Sequence, residues 1–293
     1  MCMVLRQTGF CSNSNIKQVV LKTFIPSSAE LKKYIEVFYI FNTEKPRQFS
    51  YLAFPHINTS ISFFKGVSIS RDNFHISIES NKRTVNKKCI EILGKYTKPV
   101  FVHYNGDFEE VAIVFKPMGV NRFIKGDLIK WAPEYTQSFN DENWISFSHQ
   151  LFNEKENRIG LLEDFLKTRL KLSDEPNKLD IAIRYFESAE IDYTVEMVAR
   201  LVGMSLKTFQ RHFLKHLTCS PSEYKRIARF RNALNDKMFS KEIRSLTSIS
   251  HGSNYYDQSY FIREVKKLTN LNPKKFFKMV RVLDDEKIIW VLK

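Results

Sequence analysis

The sequence predicts an α+β protein, with a β-rich N-terminal half followed by an all-α domain of two similar helical units joined by a helix. Three observations predict it. Short β-prone runs bounded by turn residues fill the chain up to about residue 145, and apolar residues at helical spacing follow. A stretch of about 50 residues recurs near the C-terminus. Positive charge concentrates in that recurring stretch.

In the first half, Leu31 to Phe41 reads as a helix running into a strand. Thr59 to Lys65, Val67 to Ser70, Phe74 to Glu79, Val100 to Tyr104 and Val111 to Lys116 read as strands. Turn signals such as Asn105-Gly106-Asp107 and Lys116-Pro117-Met118-Gly119 separate them. These strands predict a mostly antiparallel sheet or small barrel. After Trp144 the spacing of Ile159, Leu161, Leu162, Phe165, Leu166 and Leu170 is helical, and Ser173 to Asn177 breaks the chain. The expected organisation is a β-rich domain over 1–158, a helix and linker over 159–176, a helical domain over 177–280 and a tail over 281–293.

Composition narrows the function classes. With 293 residues, 43% of them hydrophobic, the chain has material for about two packed domains. No apolar run reaches the ~18 residues of a membrane helix, and Met1 to Ser14 has no secretory pattern. Cys2, Cys11, Cys89 and Cys219 are scattered without disulfide or C-x-x-C spacing, which fits a reducing cytoplasm. The formal charge is +14, and residues 207–278 hold 16 basic and 5 acidic residues, a net +11. Such a concentration favours a polyanionic partner, because neutralising phosphates releases counterions. A solvated basic surface would look the same on charge alone.

The repeat decides between them. Its first copy runs from Ala199 through Gly203, Phe209, Arg211 and Phe213 to Pro221-Ser222-Glu223-Tyr224. The second runs from Ser250 through Asn254, Phe261, Arg263 and Val265 to Pro273-Lys274-Lys275-Phe276. In each, a residue tolerant of positive φ (Gly203, Asn254) closes one helix. A capping residue (Ser205, Asp257) opens the next. Phe209, Phe213 and Leu217 form the buried face of the first second-helix, and Phe261, Val265 and Leu268 that of the other. The opposite faces carry Lys207, Gln210, Arg211 and Lys215, then Gln258, Ser259, Ile262, Arg263 and Lys266. Arg and Gln there are chemically suited to guanine and adenine edges in the major groove.

These strings resemble the DNA-binding domain of the AraC/XylS family. The likeness rests on Val198-Ala199 to Ser205, Phe209-Gln210-Arg211-His212-Phe213, Ser220 to Tyr224, Arg229 to Leu234, Tyr256 to Phe261 and Asn272 to Phe276. It implies a sequence-specific regulator whose two recognition helices enter adjacent major grooves of double-stranded DNA, with Glu223 to Leu234 as the joining helix. By position, the DNA-binding residues are Ser205, Lys207, Gln210, Arg211, Gln258, Ser259, Ile262, Arg263, Lys266 and Lys274. The sequence departs from the family at Ser250 and Asn254, and at Thr218 and Asn270, where glycine is frequent. Thr218, being β-branched, predicts a different local turn. Gly252 weakens the first helix of the second unit by about 1 kcal/mol relative to Ala.

Phe54-Pro55-His56 to Lys65-Gly66, Val111 to Gly119 and the helical Ile159 to Leu170 resemble the β-rich N-terminal domain of such regulators. The resemblance implies an effector, a second copy of the chain, or both as its partners, and RNA polymerase as a partner of the whole, with activation of transcription among the expected roles. His56, His75 and His103 lack the spacing of a metal site, and no phosphate loop, H-E-x-x-H or G-x-S-x-G occurs. The expectation is therefore a cytoplasmic non-enzyme with no catalytic residues, cofactor or metal. Two alternatives stay open: an enzyme with a basic accessory domain, and an architectural protein that binds DNA without sequence preference.

Overall fold

The computed structural model describes residues 19–43, 47–80, 83, 87–171, 177–188, 191–239, 255, 257–283 and 288–292. Ser250, Gly252 and Asn254, the turn of the second copy, lie outside the described residues. In chain order the N-terminal strands are β1 (Val19–Phe24), β2 (Ile35–Thr43), β3 (Arg47–Ala53), β4 (Thr59–Lys65) and β5 (Ser68–Asp72). They continue with β6 (His75–Glu79), β7 (Lys88–Leu93), β8 (Val100–Gly106), β9 (Glu109–Phe115) and β10 (Thr136–Ser138). Helices α1 (Leu128–Trp131), α2 (Glu142–Asn153) and α3 (Arg158–Lys167) follow.

The C-terminal half carries α4 (Lys178–Glu187), α5 (Val195–Leu201), α6 (Leu206–Leu217), α7 (Pro221–Phe239), α8 (Gln258–Thr269) and α9 (Pro273–Met279). Two last strands, β11 (Val280–Leu283) and β12 (Ile288–Leu292), close the described chain. The α+β class holds, with two sheets where one sheet or a small barrel was expected.

The first sheet runs β1-β2-β9-β4-β7-β10 and is antiparallel throughout. The second runs β11-β12-β3-β8-β6-β5, with a single parallel pair between β6 and β8. Alternation explains why the first sheet is buried on both faces. Ile61 and Phe63 of β4, with Val111, Ile113 and Phe115 of β9, point to a core capped by Trp144, Phe147, Leu151 and Phe152 of α2 and by Leu162 and Leu166 of α3. Phe64 and Ala112 point the other way, to the layer shared with Tyr51, Ile76, Ile78, Val102 and Tyr104 of the second sheet. On β2 the register shifts between Ile35 and Val37, so Ile35 and Phe38 reach the same core although their numbers differ in parity.

The described parts of the expected tail are strands. β11 and β12 form a hairpin, and β12 extends the second sheet by pairing Val291 with Leu52 and Leu292 with Tyr51. The domain expected to be all-α is helical up to Met279, and the strands belong to the segment that follows it.

α7 is longer than the joining helix foreseen, and its two faces serve different units. Tyr224 and Ala228 join the core of α4, α5 and α6, together with Phe186, Phe209 and Phe213. Ile227, Phe230 and Leu234 join the core of α8 and α9, together with Phe261, Val265, Leu268 and Phe276. Spacing of three and four residues on one helix separates these sets. Each unit also takes in residues of the β-rich half: Met118 in the first, Leu52 and Phe54 in the second.

Candidate nucleic-acid interface

The first unit is assembled from capped ends. Thr194 caps α5 by accepting the Met197 amide at 3.2 Å. α5 closes where Gly203 takes φ +64°, with Met204 N–H donating to Ala199 C=O and Gly203 N–H to Arg200 C=O, both at 2.9 Å. That paired closure satisfies two end carbonyls and turns the chain sharply. Ser205 then caps α6 by accepting the Thr208 amide at 3.3 Å. Ala199, with little side chain, is buried where α5 meets α6. The roles foreseen for Ala199, Gly203 and Ser205 in the local fold are those observed.

In the second unit Asp257 caps α8 by accepting the Tyr260 amide at 2.6 Å. α6 and α8 are both 12 residues long. They end alike, with Thr218 at φ 56°, ψ 23° and Asn270 at φ 57°, ψ 14°. The different turn expected at Thr218 does not occur. A β-branched residue in this left-handed conformation costs about 1–2 kcal/mol, and here its Oγ1 accepts the Lys95 backbone amide at 3.0 Å. A contact with the other half of the molecule offsets the strain. After each turn a second cap follows: Ser220 and Glu223 bond reciprocally in the first unit, and Asn272 accepts the Lys275 amide at 2.8 Å in the second.

All ten residues expected to meet DNA are exposed: Ser205, Lys207, Gln210, Arg211, Gln258, Ser259, Ile262, Arg263, Lys266 and Lys274. Their exposure follows from the burial of Phe209, Phe213 and Leu217 on α6, and of Phe261, Val265, Leu268 and Thr269 on α8. Thr269 occupies the place of Leu217 and is fully buried, its hydroxyl donating to Val265 C=O at 2.7 Å. Arg263 also lies over the Tyr260 ring at 5.8 Å from its centroid. Sequence reasoning passed over Leu214, which is 51% exposed one turn after Gln210. The spacing of Lys207, Gln210, Arg211 and Leu214 on one helical face was the available signal.

Lys215 stands apart from the face on which it was placed. Its ammonium pairs with Asp127 at 3.2 Å, at the seam with the β-rich half. Much of the positive charge on α7 is likewise committed to structure. Lys225 and Arg229 pair with Asp192, and Arg226 lies 3.7 Å from Glu264 of α8. Arg231 is buried, donating to Phe54 C=O at 2.8 Å and Pro55 C=O at 2.7 Å while stacking over the Phe54 ring at 4.4 Å. Burial pulls its pKa down, yet a guanidinium stays charged at neutral pH. The net +11 therefore overstates the charge offered to phosphates; among the described residues, exposed lysines and arginines of α6, α8 and α9 offer theirs.

The β-rich half has a polar centre of another kind. Glu110 is buried between the sheets and accepts the Tyr39 hydroxyl at 2.6 Å and the Tyr104 hydroxyl at 2.8 Å. Burial raises its pKa, and the hydroxyls that favour its charged form oppose this. His56 Nδ1 accepts the Asn58 amide at 2.9 Å, and His103 Nδ1 lies 2.8 Å from Ser50 Oγ. Among the described residues no three His, Cys, Asp or Glu side chains are grouped to hold a metal. Nor is any described helix long and apolar enough to cross a membrane.

Two capped helices of equal length, each with a buried aromatic-aliphatic face and a basic, amide-bearing outer face, define a DNA-binding protein of the helix-turn-helix class. Residues 198–279 match the family described as "Helix-turn-helix domain", and residues 22–136 the family described as "Domain of unknown function (DUF6597)". Residues 198–279 are thus an AraC-type helix-turn-helix domain, and the chain that carries them is a DNA-binding transcription regulator. No curated protein matches it.

Among solved structures it is similar to ToxT from Vibrio cholerae, at 10% identity and a TM-score of 0.45, over 82% of this chain and 97% of that one. A DNA-binding transcriptional dual regulator from Escherichia coli K-12 is 16% identical with a TM-score of 0.31, over 37% and 96%. The C-terminal domain of AraT, a response regulator from Geobacillus stearothermophilus, is 20% identical with a TM-score of 0.33, over 39% and 93%. Likenesses at this level fix neither a ligand nor an assembly.

Proposed function

We propose that the chain reads a specific double-stranded DNA site with α6 and α8 in adjacent major grooves, and that the β-rich half regulates this reading in the cytoplasm. Lys207, Gln210, Arg211, Gln258, Ser259 and Arg263 take the base edges, with Ile262 against a thymine methyl. Ser205, Lys266 and Lys274 take phosphates and sugars. Residues 1–158 form the regulatory half, which takes an effector or a second copy of the chain, and residues 177–280 form the reader. RNA polymerase is the proposed target of the bound regulator, and no chemistry on a substrate is assigned to it.

The observation that carries this reading is the matched pair of outer faces. Arg211 and Arg263 are both exposed, six residues after equivalent caps, on helices whose inner faces are sealed. Selection of duplexes from a random pool by the full chain, followed by footprinting, tests it. Two protected major-groove segments about 34 Å apart are expected. Enrichment of no sequence returns the architectural alternative, and protection of one segment removes α8 as a reader.

A further inference from the structure

The first recognition helix is held by the β-rich half at its C-terminal end, through groups that DNA reading does not use. Asn121 Nδ2 donates to His216 C=O at 3.0 Å, and its Oδ1 lies 3.3 Å from His216 Nδ1. Asp127 pairs with Lys215 at 3.2 Å. Lys95 N–H donates to Thr218 Oγ1 at 3.0 Å. Beside Lys95, Gly94 leaves just enough room: a Cβ there would stand 3.1 Å from Thr218 Oγ1, 3.1 Å from Ala132 Cβ and 3.4 Å from Glu134 C=O.

These contacts are specific to one copy of the repeat. Asn270, the equivalent of Thr218, is exposed and holds its turn with a residue that accepts positive φ readily. Thr218 accepts it poorly, so its choice is explained by the hydroxyl that meets Lys95. The Lys95 side chain is itself anchored, its Nζ donating to Thr59 Oγ1 at 3.1 Å at the start of β4. A continuous set of bonded groups thus runs from the first sheet to the end of α6.

We propose that Thr218 is a positioning residue for DNA reading: seated on Gly94 and Lys95, and flanked by Asn121 and Asp127, it sets how α6 is presented to its half of the DNA site. This inference rests on α6 being a DNA reader. Rearrangement of the β7–β8 connection, where Gly94 and Lys95 lie, is then transmitted to the first half-site.

The test uses the full chain, wild type, Thr218→Gly and Thr218→Ser. Glycine suits the turn and lacks the acceptor; serine keeps the acceptor. Each is titrated against the selected duplex and against duplexes with one half-site scrambled. The first unit's half-site is the one whose scrambling no longer matters once Arg211 is changed to Ala. Thr218→Gly is expected to lose preference for that half on the order of ten-fold, with preference for the other half unchanged, and Thr218→Ser to restore it. Gly94→Ala, which crowds the same seat from the other side, should repeat the loss. Hydrogen exchange at the Lys95 amide should rise in Thr218→Gly and stay slow in Thr218→Ser.

Wild-type preference for both halves in Thr218→Gly, or an unprotected Lys95 amide in the wild type, overturns the proposal. A wild-type chain with no preferred duplex, but with a slow Lys95 amide, overturns the DNA reading itself. A slow amide beside a preferred duplex that Thr218→Gly still discriminates leaves the reading intact and removes only the positioning role.

Discussion

The two reading units share a plan and differ in what completes them. The first closes α5 with a glycine turn, caps α6 with Ser205 and ends it on a strained threonine seated in the β-rich half. The second caps α8 with Asp257, ends on an exposed Asn270 and borrows Leu52 and Phe54 of the β-rich half for its core. The first unit thus adds polar contacts at the recognition helix itself to the packing of Met118. The second, among the described residues, is joined only behind its recognition helix, by Leu52 and Phe54 and by the Arg231 bonds to the Phe54 and Pro55 carbonyls. Polar contacts are directional and lost by small displacements, whereas the burial of apolar surface is non-directional. Equivalent sequences have been given unequal mechanical connections.

Breaking the packing behind the units should have the largest effect. Arg231→Met would leave the buried Pro55 carbonyl without its donor, a bare acceptor costing about 1–3 kcal/mol. It would also take a charged-group bond of about 1.5–3 kcal/mol from the Phe54 carbonyl, which keeps the Tyr96 hydroxyl at 3.0 Å. A loss of roughly 2–5 kcal/mol in denaturant unfolding is expected; a change within error would mean that water or another donor reaches the Pro55 carbonyl. Next in size is the difference between the two readers. Arg211→Ala and Arg263→Ala should each cost about 1–3 kcal/mol on the selected duplex and little on a scrambled one. The larger loss is expected at Arg211, whose helix is fixed at both ends. Equal losses on selected and scrambled duplexes would reassign either arginine to phosphate binding.

The β-rich half offers a control in which DNA plays no part. Glu110 has its pKa raised in the fold above the ~4.3 of an unfolded glutamate. Its contribution to stability is complete below that unfolded value and is lost as pH climbs through the raised one. Glu110→Gln should flatten this decline in a pH series of unfolding free energies while leaving duplex preference alone. An unchanged slope would assign the decline to other groups. The smallest effect belongs to Lys274→Ala, which should weaken selected and scrambled duplexes alike and reduce the salt slope by about 0.9. A loss confined to the selected duplex would make Lys274 a base reader.

The sequence made some of this legible and concealed the rest for physical reasons. β4 is found at its predicted bounds because Thr59 to Lys65 is β-prone and flanked by turn signals. The caps and the Gly203 turn were readable because they are local chemistry. β3 and β7 were not foreseen: Arg47–Ala53 opens on charged and polar residues after Pro46, and Lys88–Leu93 follows a basic run. β12, apolar as it is, was taken for tail because its partner lies in a distant part of the chain. The seam failed differently. Lys215 and Thr218 carried correct local information, and only proximity to Asp127 and Lys95 reveals its use.

The pairing of β12 with β3 has a consequence for how the molecule is made. Tyr51 and Leu52 leave the ribosome about 240 residues before Val291 and Leu292. Until then one edge of β3 has unpaired amides and carbonyls, a template for any passing strand. Completion of this edge is thus a long-range closure, slow by its topology. A fusion or truncation at residues 288–292 should then be felt far away, at two side chains that belong to the cores behind the regulatory half and the second reader.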